Sequence, residues 1–589
     1  MKFGYRIIFI VSVVIFFLNC AYYYPFFSDD SLISLRYTQR FIEGKGLNWN
    51  DGHPVEGYSN LFWILCTAIL GKSGLDLIWA ARILGLACSV GTIAVILNCF
   101  RKLHVKKEYV FFATLLFVTT PCISVWAIGG LEQPLYGFLL TLVLTEVLYI
   151  ITSKSFRRIY LLSVWLGLLA LTRPDGFLFT IITAGFLLFT YRQTKTNLLT
   201  ITLAVVCIPT LFLLSQLAFR YTYYGELVPN TALVKVKITF HHILHGAFYT
   251  LSSFLGTFVL SFLGLYSLFI LVIRKKDLFG FYLLLNIAAW ISYITLVGGD
   301  IFPAYRHYYV VLIFFIFSII LGLKLNLPNW VHNKLQAGIA ILIVINVFLQ
   351  YNIPQNHRAV EERWEFKGMN LGSTLKNTFP DKTLIAVTAA GCIPYASELP
   401  TVDMMGLNDY YIPRHPPANF GTGILAHELG DADYVMTRNP DIVIFDVGNT
   451  PSFYIGEQLK KNKTFTKNFI KVTASDRDAD YILFFNTYGN STGIKRTDSE
   501  LTIPGYLFRN NEDNAVLFTK KKLLKKMSIN NRYEIILNDI PSKNWKIKNV
   551  LGKNLEVDTE IYQKNGQLTI IMIPKKELLL ESLVLEGKD

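Results

Sequence analysis

Two adjacent carboxylates, Asp29 and Asp30, stand where the first apolar segment ends and the first polar loop begins. That loop, FFSDDSLISLRYTQRFIEGKGLNWNDGHPVEGYSNLFW over residues 26–63, is the densest group of reactive side chains in the sequence. A positioned carboxylate can take up a proton from a hydroxyl. Two of them offer the oxygen ligands that hard divalent cations favour. Asp also caps helices, which accounts for one aspartate but not for two. Ile33, Arg36, Tyr37 and Arg40 follow at helical spacing, so a short helix is expected after the acids. Gly44, Gly46, Gly52 and Gly57 punctuate the rest of the loop, and Glu56, Tyr58 and Asn60 end it.

The elements that must position these groups are membrane helices. The chain has 589 residues, 52% hydrophobic and only 17% charged, with a mean hydropathy of +0.39. Soluble domains average about 25% charged residues. About eleven apolar runs approach the 17–25 residues needed to cross a bilayer. They fall near 5–27, 77–100, 109–127, 134–152, 159–172, 176–190, 198–219, 250–273, 279–297, 307–323 and 335–351. Two of them, 159–172 and 176–190, are short enough to form one hairpin. Residues 61–71 are too short to span and read as an interfacial helix. Lys2 and Arg6 precede the first run as in a signal peptide, but its length and the lack of a small-residue cleavage site favour an anchored helix.

The net charge of +14 is not a nucleic-acid footprint. Residues 1–351 hold 26 Lys and Arg against 13 acids, whereas residues 352–589 hold 30 against 29. The excess lies in the apolar half, where basic loops set orientation. With the N-terminus in the cytoplasm, sixteen basic residues fall on the cytoplasmic side: Lys2, Arg6, Arg101, Lys102, Lys106, Lys107, Lys154, Arg157, Arg158, Arg192, Lys195, Arg274, Lys275, Lys276, Lys324 and Lys334. Nine fall on the other. Ten of the thirteen acids gather on that second side, which points to an outward-facing site.

Three segments are expected: a transmembrane domain over 1–351 with its first outer loop at 28–75, an outer α/β domain over 352–454, and an outer β-rich tail over 455–589. In the second, strands are expected at 383–387, 400–406 and 441–445, with a helix in AHELGDADYVMTR. In the tail, DYILFFN, NAVLFTK, YEIILND and QLTIIMIP alternate as antiparallel strands do. The run KKKLLKK (520–526) reads as a solvated face. Cys392 is the only cysteine of the polar half, so that half forms no internal disulfide.

The string DDSLISLRY…GKGLNWNDGHPVEGYSNLFW resembles the first-loop signature of GT-C glycosyltransferases of the terminal arabinofuranosyltransferase type. LTRPDG (171–176), YYGELVPNTALVK (223–235), VGGDIFPAYRHY (297–308), AAGCIPYASELPTVDMMGLND (389–409) and a His-bearing segment before DADYVMTRNPD match in the same order. The resemblance spans residues 5 to about 446. It implies a polytopic α-helical membrane enzyme of GT-C type that takes sugar from a polyprenyl-phosphate donor on the outer face of the bacterial inner membrane. The acceptor would be a cell-envelope glycan or glycolipid, with membrane lipids as further partners and no nucleic acid. The usual catalytic aspartate of the first outer loop carries over to Asp29 or Asp30. A divalent cation shared by these acids and the lipid phosphate would fit their oxygen ligands.

The expected substrate-binding residues are Arg36, Glu56, Tyr58, Asn60, Arg173, Asp175, Asn230, Lys235, Asp300, Arg306, His307 and His427. Each has a structural alternative. Glu56 either meets sugar hydroxyls or braces the loop, and Arg173 either pairs with Asp175 or faces the phosphate. Lys235 and Lys237 either contact substrate or snorkel. Arg306 either grips the donor phosphate with its planar fork or pairs with Asp300, and His427 is either an acceptor contact or a core residue. A carboxylate could also act as a nucleophile, as in retaining glycosidases, so inversion and retention both stay open. Three other functions compete: a polymerase or ligase for lipid-linked glycan blocks, a flippase or secondary transporter, and a non-catalytic assembly protein. Only Glu146 and Arg82 lie well inside an expected span, and no repeated halves are visible, which weighs against transport.

Overall fold

A computed structural model describes residues 3–153, 158–192, 198–235, 237–322, 329–476, 479–510, 515–519, 521–538, 540–564 and 566–588. The described chain folds as two compact units. The first comprises residues 1–49, 54–363 and 419–425, and the second residues 50–53, 364–418 and 426–589. Two units replace the three expected segments, with the main division at 363/364.

The first unit is helical, because a bilayer offers no water to the backbone and only internal hydrogen bonding satisfies it. In chain order the helices are α1 (Phe3–Tyr22), α2 (Asp29–Ile42), α3 (Leu61–Lys72), α4 (Leu77–Lys102), α5 (Lys107–Val118), α6 (Pro121–Ile128), α7 (Gln133–Ser153) and α8 (Ile159–Thr172). There follow α9 (Phe177–Tyr191), α10 (Leu198–Tyr224), α11 (Asn230–Lys235), α12 (Phe240–Gly256), α13 (Phe258–Phe269), α14 (Leu278–Leu296), α15 (Tyr309–Gly322) and α16 (Asn329–Tyr351).

Seven described helices are long and apolar enough to cross a membrane, and nine spans result if two bent pairs each count once. The expected eleven are not confirmed among the described residues. The run at 109–127 breaks by 59° between α5 and α6, where Pro121 starts a new helix, and the run at 250–273 breaks by 97° after α12. The run at 159–172 yields only a short apolar helix, and the run at 335–351 lies in α16, fully described only from Ala340. The expected α2 forms directly after the acids. Ser28 occupies its N-cap position, and Asp29 and Asp30 stand in its first turn, where negative charge complements the helix dipole.

Hydrogen bonds between flanking residues bring the ends of α8 and α14 to the starts of α7, α9 and α15, and the start of α2, just past α1, to α11, just past α10. The candidate acids cluster there. Arg101, Lys102, Arg158, Arg192, Arg274 and Lys275 stand at the opposite helix ends. Lys2, Lys154, Arg157, Lys195 and Lys324, and the Lys334 side chain, lie outside the described residues.

After a helix at Trp364–Thr378, the second unit carries three parallel strands, β1 (Ile385–Val387), β2 (Thr401–Asp403) and β3 (Ile442–Ile444), in the order β2-β1-β3. Between β2 and β3 the expected helix narrows to Ala432–Thr437, capped by the Asp431 carboxylate, which accepts from the Tyr434 N–H at 2.9 Å. Then come β4 (Phe469–Ser475), β5 (Asp480–Asn486), β6 (Lys495–Arg496), β7 (Glu500–Pro504), β8 (Ala515–Phe518) and β9 (Leu523–Met527). The chain ends in β10 (Tyr533–Leu537), β11 (Asn544–Lys553), β12 (Val557–Lys564), β13 (Gln567–Pro574) and β14 (Leu578–Lys588).

β3 pairs with β5, so one sheet runs through the boundary expected at 454/455. β10, β13 and β12 form a separate antiparallel sheet. The run at 520–526 is a solvated face only in part: Lys521 and Lys522 are exposed, whereas Leu523, Leu524 and Lys525 of β9 are buried and the Lys525 ammonium lies 5.5 Å from the Tyr533 ring centroid. Lys520 lies outside the described residues. Asp403 closes β2 as a brace, accepting from the N–H groups of Met405 (3.0 Å) and Asn408 (2.9 Å) and from the Asn408 amide (3.0 Å). Burial outweighs these bonds and pushes its carboxyl up to about 6.

Candidate active site

The site is assembled in the first unit from four turns. The exit of α1 delivers Asp29 and Asp30. It is held by buried Arg82, whose guanidinium donates to the carbonyls of Tyr24 (2.9 Å) and Phe26 (3.2 Å). The turn before α7 delivers Glu132, the turn between α8 and α9 delivers Arg173 and Asp175, and the turn between α14 and α15 delivers Asp300, Arg306 and His307. In that last turn Ala304 and Tyr305 adopt left-handed backbone. The helical path is therefore already broken after Leu296 and is reset at 304–305 as well as at Pro303.

These groups form one polar chain. Ser34 and Asn60 are hydrogen-bonded at 3.2 Å, and the Asn60 amide donates to Glu132 at 2.9 Å. Arg173 donates to Glu132 and to Asp175, each at 2.7 Å. Asp175 also accepts from Tyr293 (2.9 Å) and Tyr136 (3.2 Å). Arg306 grips Asp300 with two donors, at 2.7 and 3.0 Å. It lies within electrostatic reach of Asp30 and Glu132, and stacks 4.3 Å from the Phe302 ring centroid. Lys235 of α11 donates to Asp30 at 3.1 Å.

Burial alone would raise the carboxyls of Glu132 and Asp300. Arg173 and Arg306 outweigh it at Glu132, and Arg306 and His307 at Asp300, so both sit below the ordinary carboxylate range. Both therefore serve as fixed negative charges at neutral pH. The Nδ1 of His307 is buried with no hydrogen-bond partner among the described residues, and its backbone N–H donates to the Tyr249 hydroxyl at 3.1 Å.

The structure thus brings together Asp29, Asp30, Asn60, Arg173, Asp175, Lys235, Asp300, Arg306 and His307. Both structural alternatives are realised for the arginines: Arg173 pairs with Asp175, and Arg306 with Asp300. Four other expected contacts make a supporting layer. Arg36 donates to the Trp49 carbonyl at 2.8 Å and lies over that ring. Glu56 is buried against Arg220 and, through its backbone carbonyl, accepts from the Asn230 N–H at 3.0 Å. Tyr58 meets the Tyr224 hydroxyl at 3.1 Å. His427 belongs to the second unit, where its ring packs 4.4 Å from that of Phe453. Glu132 and Arg220 were not foreseen, although Glu132 carries a visible signal as an acid after Gly129-Gly130 and directly before an apolar run. No three His, Cys, Asp or Glu side chains gather to hold a metal ion among the described residues. Lys235 supplies positive charge at Asp30.

A domain of unknown function, DUF8728, matches residues 353–501. Comparison with curated protein sequences finds no match. Among solved structures, the chain is similar to ArnT from Cupriavidus metallidurans bound to undecaprenyl phosphate. The identity is 12% and the TM-score 0.53, over 82% of this chain and 98% of that one. It is also similar to the apo oligosaccharyltransferase of Archaeoglobus fulgidus, at 13% identity and a TM-score of 0.51, over 83% of this chain and 76% of that one. The mycobacterial arabinofuranosyltransferase AftD aligns with all of this chain and 57% of its own at 11% identity, with a TM-score of 0.45, too low to carry weight. At these identities the likeness is one of fold, and the chain is a multi-pass membrane protein with the fold of the GT-C glycosyltransferases.

Proposed function

We propose that the protein is a membrane glycosyltransferase that moves a single sugar from a polyprenyl-phosphate donor to a cell-envelope glycan or glycolipid. The first-loop resemblance favours a pentofuranose such as arabinofuranose, and the basic helix ends favour the periplasmic face of a bacterial inner membrane. The observation that carries the reading is the cluster of Asp29, Asp30, Glu132, Asp175 and Asp300 with Arg173, Arg306 and Lys235 at one end of the helices. The likeness of fold to ArnT, whose structure holds undecaprenyl phosphate, supports a lipid-phosphate donor.

The chemistry suits the groups present. A sugar phosphoester already carries a good leaving group, so the departing oxygen needs positive charge rather than a strong acid. The acceptor hydroxyl must lose its proton, and the Asp29–Asp30 pair supplies the base, a contribution of about 10²–10⁴-fold. The buried Arg173 and Arg306 pairs hold the surrounding turns in register, so that these groups need not reorganise during reaction.

Purified protein supplied with polyprenyl-phosphate sugars and envelope glycolipid tests this directly. Transfer is expected to fall at least about 100-fold in Asp29→Asn, Asp30→Asn or both. Full activity in both single variants and the double variant would end the base assignment. Mass spectrometry of surface glycolipid from a deletion strain should show the loss of one sugar. Loss of a whole oligosaccharide block would favour a ligase.

A further inference from the structure

The cations of the site are held unequally. Arg173 is divided between Glu132 and Asp175, and Arg306 is clasped by both oxygens of Asp300, with their side chains 14% and 8% exposed. Lys235 differs in every respect. Among the described residues its one side-chain hydrogen bond is to Asp30, at 3.1 Å, and both partners are part-exposed, at 31% and 26%. An ammonium on a flexible four-carbon stem can change partners by rotation alone, which a guanidinium locked in a planar fork cannot. A part-exposed ion pair is also weakly held.

The placement of α11 keeps Lys235 within reach of the site. The Asn230 N–H at its start donates to the Glu56 carbonyl at 3.0 Å. The Glu56 carboxylate is bound by Arg220, which also donates to the Leu227 carbonyl at 3.1 Å. The base of the helix is thereby tied down while the ammonium at its far end stays exposed.

We propose that Lys235 is an exchangeable cation: it rests on Asp30 before donor arrives, and moves onto the phosphate of the polyprenyl-phosphate sugar when donor binds. This deepens the transferase reading and rests on it. While Lys235 occupies the Asp30 carboxylate, an acceptor hydroxyl has to compete for it; once donor has drawn Lys235 away, that oxygen is open to the hydroxyl. The acceptor oxygen then bonds to the anomeric carbon and its proton passes to Asp30. The carbon–oxygen bond to phosphate breaks with its electron pair leaving on the phosphate, beside Lys235. Donor binding before base activation guards against deprotonation without transfer.

A zero-length carbodiimide cross-link reads the pair itself, because the reagent joins a carboxylate to an amine in direct contact. Purified full-length protein is expected to give an Asp30–Lys235 isopeptide by peptide mass spectrometry. Undecaprenyl phosphate at saturation should lower its yield at least about tenfold. Undecaprenol and inorganic phosphate at the same concentration should not, which separates a lipid phosphate from its tail or its headgroup alone. Binding of undecaprenyl phosphate is measured in the same samples by native mass spectrometry. If the lipid binds and the cross-link persists undiminished, or if no cross-link forms without lipid, the exchange is wrong while the transferase reading stands. If the lipid does not bind at all, both fail. Lys235→Arg offers a second check: lipid binding should stay within about threefold while transfer falls at least about tenfold, since a guanidinium can hold both anions at once. Unchanged turnover in Lys235→Arg would overturn the exchange.

Discussion

Arg306 and Asp300 show what a buried pair contributes and what its removal leaves behind. Removing one partner strands a buried charge, at a cost of about 3–5 kcal/mol. Arg306→Ala and Asp300→Asn are each expected to lower the unfolding temperature and the activity. Arg306→Ala combined with Asp300→Asn should cost less than the sum of the single changes, as measured by thermal unfolding in detergent. Arg306→Lys should also lose function, because one ammonium cannot reproduce the bonds at 2.7 and 3.0 Å. Strict additivity across the cycle would show that the two residues do not act as a pair. Asp403 makes the opposite case. Its folded-state carboxyl lies near 6, above its ordinary value, so the folded chain binds a proton more tightly than the unfolded one. Its contribution is therefore fully present below about pH 4 and is lost as pH rises through 6. The stability of wild type relative to Asp403→Asn should rise by about 2–3 kcal/mol between pH 7 and pH 4. A pH-independent difference would contradict a raised carboxyl.

At the scale of elements, α12 and α14 approach closely at a glycine. A Cβ on Gly246 would stand 2.7 Å from the Thr295 Cα, so a methyl there must push α12 away. Overpacking of this kind costs about 1–3 kcal/mol. The same displacement would loosen the Tyr249 hydroxyl from the His307 N–H one turn further along α12. Gly246→Ala is therefore expected to reduce both melting temperature and transfer. Gly185→Ala, in α9 with open space around its Cα, should be neutral or stabilising by up to about 1 kcal/mol. Equal losses in both variants would point to a general intolerance of side chains on these helices rather than to this contact. The bends within the α5–α6 and α12–α13 pairs also belong to this scale, since each lets a helix end near the site without crossing the unit in one straight rod.

At the scale of the molecule, charge asymmetry sets the expected orientation. The described ends of α4, α7–α8, α9–α10 and α13–α14 carry the basic residues, and the opposite ends carry the acid cluster. Under the positive-inside rule the basic ends face the cytoplasm. An alkaline phosphatase fused after residue 360 should be active, and one fused after residue 102 should be inactive. The reverse result would overturn the orientation and move the acid cluster to the cytoplasmic face.

Much of this was written in the sequence, because composition and periodicity act locally. A long apolar run in lipid has few choices but helix, so the polytopic class and most helix positions were legible, as were the strands at DYILFFN and QLTIIMIP from their alternation. The acids of the first loop were visible because they adjoin each other in sequence. Partnership is different, since it depends on which turns meet at one end of the helices. Glu132 gains its role from Asn60, 72 residues away, and from Arg173, 41 residues away. Lys235 reaches Asp30 across 205 residues. The sheet that runs through residue 454 and the burial of Lys525 follow from packing between distant segments. Tertiary structure alone decided these features, because each trades a local preference for contacts that exist only in the folded chain.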